Sequence, residues 1–159
     1  MDATVYLAGC ELSGQTGHEA GRALLAGLYE THAGGQMPSI SVSSKGKPFF
    51  IDSPWYFSVT HTRRHVFCVL ADRPVGIDAE ELDRRIDLRL AEKILSPNEY
   101  AQFSAATDPR LALLTFWVLK EADAKRAGDG IRFHPRHTDF SLHDPRIQHR
   151  NGCVLAVIL

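Results

Sequence analysis

Cysteine and long apolar runs are scarce in this chain of 159 residues, and no secretion signal is recognisable. Its three cysteines, Cys10, Cys68 and Cys153, have no CxxC spacing and each stands in an apolar stretch. We therefore expect buried structural thiols rather than a disulfide framework. No run approaches the roughly 20 apolar residues that span a bilayer, and the first ten residues lack the positive start and cleavage pattern of a signal peptide. These absences favour a cytoplasmic protein.

Neither sign of charge is in excess, since 18 lysines and arginines face 19 acidic residues. A near-neutral chain gives no reason to expect nucleic acid or a membrane surface as a partner, and any basic site must be local. The length suits one ordinary domain that can bury a core without disulfides. We predict a single domain over residues 1–159.

Short segments rich in β-branched and aromatic residues predict strands. The predicted strands are residues 4–8, 40–44, 55–60, 65–71 and 74–80. With a turn at residues 45–48, the segments between 40 and 80 are expected to form an antiparallel meander. Apolar runs at 140–142 and 153–159 predict a closing hairpin.

Capping signals predict the helices. The first predicted helix runs from the Thr16 and Glu19 capping box to Gly34 and Gly35, and a short helix covers residues 87–95. A third helix begins at the Ser96 and Glu99 capping box. A long helix runs from Asp108 and Pro109 to about Arg126, before Gly128 and Gly130. The two parts of the chain, about 1–72 and 73–159, thus each combine helix with short strands. This pattern permits two pseudo-duplicated α+β halves.

Two carboxylates end a predicted apolar strand, in the segment ValGlyIleAspAlaGlu at residues 75–80. Alternate strand residues project from the same side, so Asp78 and Glu80 could share one cation. Carboxylate oxygens suit Mg²⁺, which usually completes its shell with water and substrate phosphate. Taken alone, the pair also fits the solvated acids that often end a strand.

The long predicted helix carries an aromatic, an acidic and a basic residue along one stripe. Trp117, Glu121 and Lys125 recur at four-residue steps and therefore share a face. Glu121 and Lys125 could be a third metal ligand beside a phosphate contact. They could equally be an exposed ion pair of the kind that stabilises helices.

Several other polar residues have a structural and a binding interpretation. Thr60 and His61 end a β-like run with donors for a phosphate, although a surface turn tolerates them too. Lys47 belongs to a turn that is ordinarily a basic hairpin tip. Arg22 fits a solvated position on an amphipathic helix, and capping of its own helix explains Glu99.

The order of these elements favours a functional interpretation. LysGlyLysPro, ThrHis, GlyIleAspAlaGlu, SerProAsnGlu and TrpValLeuLysGluAlaAspAlaLys follow one another along the chain. This succession, over residues 20–131, resembles the 4′-phosphopantetheinyl transferase superfamily in a shortened form of its larger, surfactin-synthetase-activating type. The resemblance implies an α+β fold of two pseudo-symmetric halves, each with a helix packed on a small antiparallel sheet, and a site between the halves. A chain that holds both halves is expected to be a monomer.

The resemblance also implies a reaction. The 4′-phosphopantetheine group of coenzyme A would pass to a serine of an apo acyl or peptidyl carrier protein, with Mg²⁺ as cofactor and release of 3′,5′-ADP. The metal ligands implied are Asp78, Glu80 and Glu121. Glu121, directly or through a metal-bound water, is the candidate general base, and Glu99 is a second candidate. Lys125 would stabilise charge on the phosphates as a catalytic residue.

Coenzyme A would be held by basic and hydroxyl residues that match the family's motifs. The residues implied are Arg22, Lys47, Thr60, His61 and Lys125. Two other functions stay compatible with the chain: another Mg²⁺-dependent phosphotransferase or nucleotide hydrolase, and a catalytically silent module that binds coenzyme A or a carrier protein. The full motif order argues against the first, and the few residues before the Arg22 helix keep the second open.

Overall fold

The computed structural model describes residues 1–128 and 135–159, which contain four α-helices, and all but the short second one begin at capping signals of the sequence. They are α1 (Gly17–Tyr29), α2 (Ala91–Ile94), α3 (Pro97–Ala105) and α4 (Pro109–Ala127). Thr16 and Ser96 each complete a capping box with the glutamate three residues later. Asp108 accepts a hydrogen bond from the first turn of α4. Within the described ranges no helix is both long and apolar enough to cross a membrane.

Glycines end the two main helical segments. A π-helical turn, Glu30–Gly34, extends α1 to the predicted stop. Gly128 follows α4 in the left-handed conformation, with φ of 77°, which glycine adopts without a Cβ penalty. Gly130, the other predicted stop of this helix, lies outside the described residues.

The strands of the described residues form three antiparallel sheets. They are β1 (Val5–Glu11), β2 (Ile40–Val42), β3 (Pro48–Phe50), β4 (Tyr56–His61), β5 (His65–Ala71), β6 (Gly76–Glu81), β7 (Ile147–Arg150) and β8 (Cys153–Ile158). The strand orders are β1-β5-β4, β2-β3 and β6-β8-β7. The short β2-β3 hairpin is not paired with either of the two three-stranded sheets.

Two predicted strand pairings are corrected by this topology. Of the predicted meander over residues 40–80 only the β4-β5 pair forms, because β2 pairs with β3 in a separate sheet and β6 pairs with β8. In the closing hairpin β8 pairs with β7, whereas Phe140 and Leu142 pack beside the apolar cluster of α3 and α4. The hairpin loop is Asn151–Gly152, with φ of 51° and 74°, a dipeptide that favours two-residue turns. The Asn151–Gly152 dipeptide therefore predicts the position of this hairpin better than the apolar run at residues 140–142 does.

Each half of the molecule packs a helix against a three-stranded sheet. Leu25 of α1 lies in one apolar cluster with Cys68 of β5. Leu119 of α4 lies in another with Val154 of β8. The two sheets share a third cluster, formed by residues of β5, β6 and β8. The predicted α+β fold of two pseudo-symmetric halves is confirmed.

The contact between β6 and α4 leaves no room for a side chain at Gly76. An added Cβ would lie 1.9 Å from the carbonyl oxygen of Ala122 and 2.5 Å from the amide nitrogen of Arg126. Because helix backbone cannot yield as a side chain can, Gly76→Ala should lower the free energy of unfolding by about 3 kcal/mol. The matched control is Gly27→Ala in α1, which has open space and should gain up to ~1 kcal/mol. Urea unfolding measures both, and a Gly76→Ala variant as stable as wild type would contradict the close contact.

Candidate functional site

The seam between the halves brings β4 beside β6. The Ser58 hydroxyl accepts a hydrogen bond from the backbone N–H of Ile77 at 3.1 Å. The Thr60 hydroxyl donates to Oδ1 of Asp78 at 3.2 Å. Ser58 and Thr60 face the same side because strand residues alternate. Asp78 is therefore held at the junction of the two halves.

Asp78 is the centre of a buried carboxylate cluster and is only 7% exposed. Its Oδ1 also accepts a hydrogen bond from Lys125 at 2.9 Å, and the same ammonium donates to the carbonyl of Ile77 at 3.1 Å. Its Oδ2 is buried and has no hydrogen-bond partner among the described residues. Burial raises the pKa of Asp78, although Lys125 and Thr60 oppose the shift. A buried anionic oxygen without a donor is a natural point of attachment for a cation.

Glu80 and Glu121 interact electrostatically with Asp78 but have different partners. Burial and the neighbouring charge of Asp78 raise the pKa of Glu80, whereas its ion pair with Arg84 lowers it. Burial and Asp78 likewise raise the pKa of Glu121, while Lys125 lowers it. The oxygens of the three carboxylates do not all lie within 4.8 Å of one another. Lys125 instead pairs with Asp78, and Arg84 pairs with Glu80.

Two cavities reach this cluster. One, of about 390 Å³, is lined by Glu121 and Lys125 together with Lys47 of the basic turn. The other, of about 510 Å³, is lined by three basic residues, Arg63, Arg84 and Arg85, and by three acidic ones, Glu80, Glu81 and Asp83. An anionic ligand could therefore approach the carboxylates past basic groups.

Lys47 lies in the cavity wall with its ammonium group already engaged. It donates to the carbonyls of Arg126 at 2.9 Å and Val75 at 3.3 Å, and also to the carbonyl of Lys125. Burial and the charge of Arg126 lower the pKa of Lys47. Two of these carbonyls belong to the last turn of α4, so Lys47 joins the LysGlyLysPro turn to the helix motif. A contact of Lys47 with a nucleotide phosphate remains a prediction.

The structure separates Thr60 from His61. Whereas Thr60 faces Asp78, His61 is exposed on the other side of β4, and its ring lies so close to α1 that a Cβ at Gly17 would be 2.4 Å from it. Arg22, half-buried on α1, lines neither cavity. The side chains of Thr60 and His61 therefore lie on opposite sides of β4, and their contact with a nucleotide phosphate stays a prediction.

Glu99 does not join the carboxylate cluster. It is fully buried and pairs with Lys120 at 2.7 Å. Its Oε1 accepts from the backbone N–H of Ser96 at 2.8 Å, and its Oε2 accepts from that of Phe140 at 2.9 Å. A general base must reach the substrate proton, so this enclosure argues against Glu99 as a base and favours the capping role.

Lys120 is an important residue that the sequence motifs alone did not single out. Its ammonium pairs with Glu99, donates to the Thr138 hydroxyl at 2.9 Å and the Thr138 carbonyl at 3.2 Å, and also donates to the carbonyl of Pro135. It thereby connects α3, α4 and the segment that follows α4. The available signal in the sequence was a lysine directly after the apolar run Phe116 to Leu119 of the long helix.

Comparison with known proteins identifies relatives of this chain. The chain is 34% identical over 88 residues to the 4′-phosphopantetheinyl transferase gsp of Aneurinibacillus migulanus, covering 54% of this chain and 36% of that protein. It is 32% identical over 123 residues to the 4′-phosphopantetheinyl transferase HetI of a Nostoc species, covering 70% and 52%. It is 42% identical over 64 residues to the holo-[acyl-carrier-protein] synthase of Cronobacter sakazakii, covering 36% and 51%.

The chain spans about half, or less, of the length of these relatives. A model of the 4′-phosphopantetheinyl transferase superfamily matches residues 74–154, just over half of the chain. That segment contains β6, α4 and the carboxylates Asp78, Glu80 and Glu121. The chain therefore belongs to the 4′-phosphopantetheinyl transferase superfamily, as the order of its motifs indicated.

Proposed function

We propose that this protein transfers the 4′-phosphopantetheine group of coenzyme A to a serine of an apo acyl or peptidyl carrier protein and releases 3′,5′-ADP. Family membership and the names of the relatives support this reaction class. The observation that carries the proposal is the buried, unpartnered Oδ2 of Asp78, beside Lys125 and near two further carboxylates.

The residues around Asp78 fit a magnesium ion. Burial raises the pKa of Asp78, Glu80 and Glu121, so a divalent cation would favour their ionised forms. These three would hold Mg²⁺ through hard oxygen ligands, and Arg84 would then release Glu80. When bound, Mg²⁺ would supply electrostatic stabilisation to the pyrophosphate of coenzyme A.

Lys125 and Glu121 would divide the remaining chemistry. Lys125 is held by Asp78 and Ile77, so its ammonium can stabilise the charge that develops on 3′,5′-ADP as it leaves. Glu121 lines the 390 Å³ cavity and would accept the proton of the carrier serine. The serine oxygen bonds to the β-phosphorus while the bond from that phosphorus to the oxygen of 3′,5′-ADP breaks.

The rest of coenzyme A would be held by residues around the same seam. Lys47, Thr60, His61 and Arg22 are proposed for this role on the strength of the motif order. Lys47 and Thr60 lie beside the cluster through their contacts with Lys125 and Asp78. His61 and Arg22 lie on or against α1, so they would serve a part of the nucleotide distant from the pyrophosphate.

One incubation tests the proposed function. The protein is mixed with coenzyme A, Mg²⁺ and several apo carrier proteins, and each carrier is weighed by intact mass spectrometry. We expect a gain of one phosphopantetheine on at least one carrier. Coenzyme A binding without modification of any carrier would instead indicate a silent binding module. Release of phosphate or another nucleotide product without a carrier would indicate a hydrolase.

Glu121→Gln tests the proposed base. The amide keeps the size of the side chain but can neither accept the serine proton nor bind Mg²⁺ as a carboxylate does, so the transfer rate should fall by about a hundredfold or more. The same mass assay, under saturating coenzyme A, measures the rate. Asp123→Asn is the matched control, because Asp123 lies on the same helix and pairs with Arg126. Equal rates for Glu121→Gln and Asp123→Asn would exclude Glu121 as the base.

A further inference from the structure

A second cluster of potential metal ligands lies on strands β5, β6 and β8, on the face of β6 opposite Asp78 and Glu80. It consists of His65, Glu81 and Cys153. Nδ1 of His65 is 3.0 Å from Oε1 of Glu81, and Sγ of Cys153 is 3.6 Å from both Nδ1 of His65 and Oε2 of Glu81. The side chains of His65 and Glu81 are 12% and 7% exposed, and Cys153 is fully buried.

These separations resemble the edges of a tetrahedral zinc site. With bonds of about 2.3 Å to sulfur and about 2.0 Å to nitrogen and oxygen, tetrahedral ligands stand ~3.5 Å apart across S–N and S–O edges and ~3.3 Å apart across an N–O edge. The observed S–N, S–O and N–O separations are 3.6, 3.6 and 3.0 Å, with Oε2 of Glu81 beside Cys153 and Oε1 of Glu81 beside His65. The backbone therefore already holds the three side chains at near-ligand spacing, and only small side-chain rotations separate the hydrogen-bonded cluster from a coordinated one.

We propose that His65, Glu81 and Cys153 bind a zinc ion, with water as the fourth ligand. Sulfur and imidazole ligands select Zn²⁺ over Mg²⁺, whereas the carboxylate cluster around Asp78 offers oxygen alone. Binding converts the Cys153 thiol to a thiolate, and its proton passes to solvent. The site is separate from the proposed transfer reaction and needs no substrate.

Charge and outer contacts support the zinc site. Arg64 donates to Glu81 at 3.1 Å and to Asp83 at 2.8 Å. With zinc bound, Glu81, Asp83 and the Cys153 thiolate would carry three negative charges. These would balance the positive charges of the Arg64 guanidinium and the divalent cation. The Thr62 hydroxyl also donates to Glu81, and such second partners orient a ligating carboxylate. Glu81 lines the 510 Å³ cavity, which offers an entry path.

The predicted consequence is a clamp between the two halves. His65 belongs to the sheet of the first half, whereas Glu81 and Cys153 belong to that of the second. An ion bound to all three would join the sheets at the end of β6, the strand that also carries Asp78 and Glu80. Because binding to the folded state alone stabilises it by mass action, zinc should raise the unfolding temperature.

Metal titration of the full chain tests this site. After chelator treatment, native mass spectrometry should show one Zn²⁺ per chain, retained in excess Mg²⁺. Co²⁺ should produce the near-ultraviolet charge-transfer band of a cobalt–thiolate bond. Cys153→Ser and His65→Gln should each weaken zinc binding by more than the 10–100-fold loss typical of an outer partner. Thr62→Val removes only an outer partner of Glu81, so its loss of zinc affinity should fall within the range of about 10–100-fold.

Two controls distinguish this cluster from other binding. Cys10→Ser removes a half-exposed thiol outside the cluster, and Asp78→Asn alters the carboxylate site, so both should bind zinc as wild type does. If a cluster variant fails to fold, a cobalt band that persists in Cys10→Ser still identifies Cys153 as the ligand, because Cys68 is buried in the apolar cluster under α1. Absence of that band, or loss of zinc in Asp78→Asn but not in His65→Gln, would overturn the proposal.

Discussion

Asp78→Asn should lower the rate of phosphopantetheine transfer by about a thousandfold or more while the protein stays folded. Asparagine has the size of aspartate and can still accept the hydrogen bond that Thr60 donates. It removes the negative charge that holds Lys125 at 2.9 Å and that a metal ion would require. Loss of a single preorganised electrostatic group typically reduces catalysis by 10²–10³-fold, and Asp78 serves two such groups.

The same substitution should not weaken the fold. Burial raises the pKa of Asp78, so the ionised carboxylate is unfavourable in the folded state and its neutral replacement removes that penalty. Thermal unfolding should therefore show an unchanged or higher midpoint. The initial rate of carrier mass gain, with saturating coenzyme A and Mg²⁺, measures activity.

A matched control for this experiment is Asp72→Asn. Asp72 is outside the seam and accepts hydrogen bonds from the backbone of Thr4 and from Arg73, so its variant should transfer at the wild-type rate. An Asp78→Asn protein that keeps more than about 10% of the wild-type rate, a barrier change below 1.4 kcal/mol, would remove Asp78 from the centre of the proposed site.

Lys120→Met should be the most destabilising of the substitutions considered, with a loss of about 3–5 kcal/mol in the free energy of unfolding. Lys120 and Glu99 are both fully buried and pair at 2.7 Å. Methionine fills a similar volume but leaves the Glu99 carboxylate without its counter-charge. It also removes the donor to the Thr138 carbonyl and hydroxyl. Urea unfolding, with a check that the slope is unchanged, measures the loss.

The double variant Lys120→Met/Glu99→Gln tests whether the pair is responsible. Glutamine is neutral and retains one acceptor oxygen for the Ser96 or Phe140 amide, so the double variant should be more stable than Lys120→Met alone. A double-mutant cycle should give a coupling energy above ~1 kcal/mol. Additive losses would show that Lys120 contributes mainly through its contacts with Pro135 and Thr138.

This pair helps to explain how the proposed site is built. Glu121, the proposed base, follows Lys120 directly, so the contacts of Lys120 fix the rotation of α4 about its axis. Lys47 binds the last carbonyls of the same helix from the first half. Gly76 allows β6 to approach it within backbone contact. The position of the Glu121 side chain thus depends on groups distant from it in sequence.

The sequence by itself determined the local features. Thr16, Ser96 and Asp108 start their helices because a side-chain oxygen satisfies a nearby backbone amide, and this requires only residues within one turn. Alternation likewise placed Asp78 and Glu80 on one face of β6. The motif order also identified the family, since each element is a short segment whose residue types are constrained by its own contacts.

The tertiary structure alone decided which segments meet. Pairing of β6 with β8 joins residues about half the chain apart, and no local pattern of hydrophobicity specifies that partner. The same is true of side-chain roles: Glu99 has a capping signature and an ionisable carboxylate, and only its burial with Lys120 shows that the carboxylate is enclosed. His65, Glu81 and Cys153 are unremarkable in sequence and become a cluster because three strands from two halves converge. Whether a polar residue supports the fold or faces a ligand depends on its surroundings, which the packing of the two halves creates.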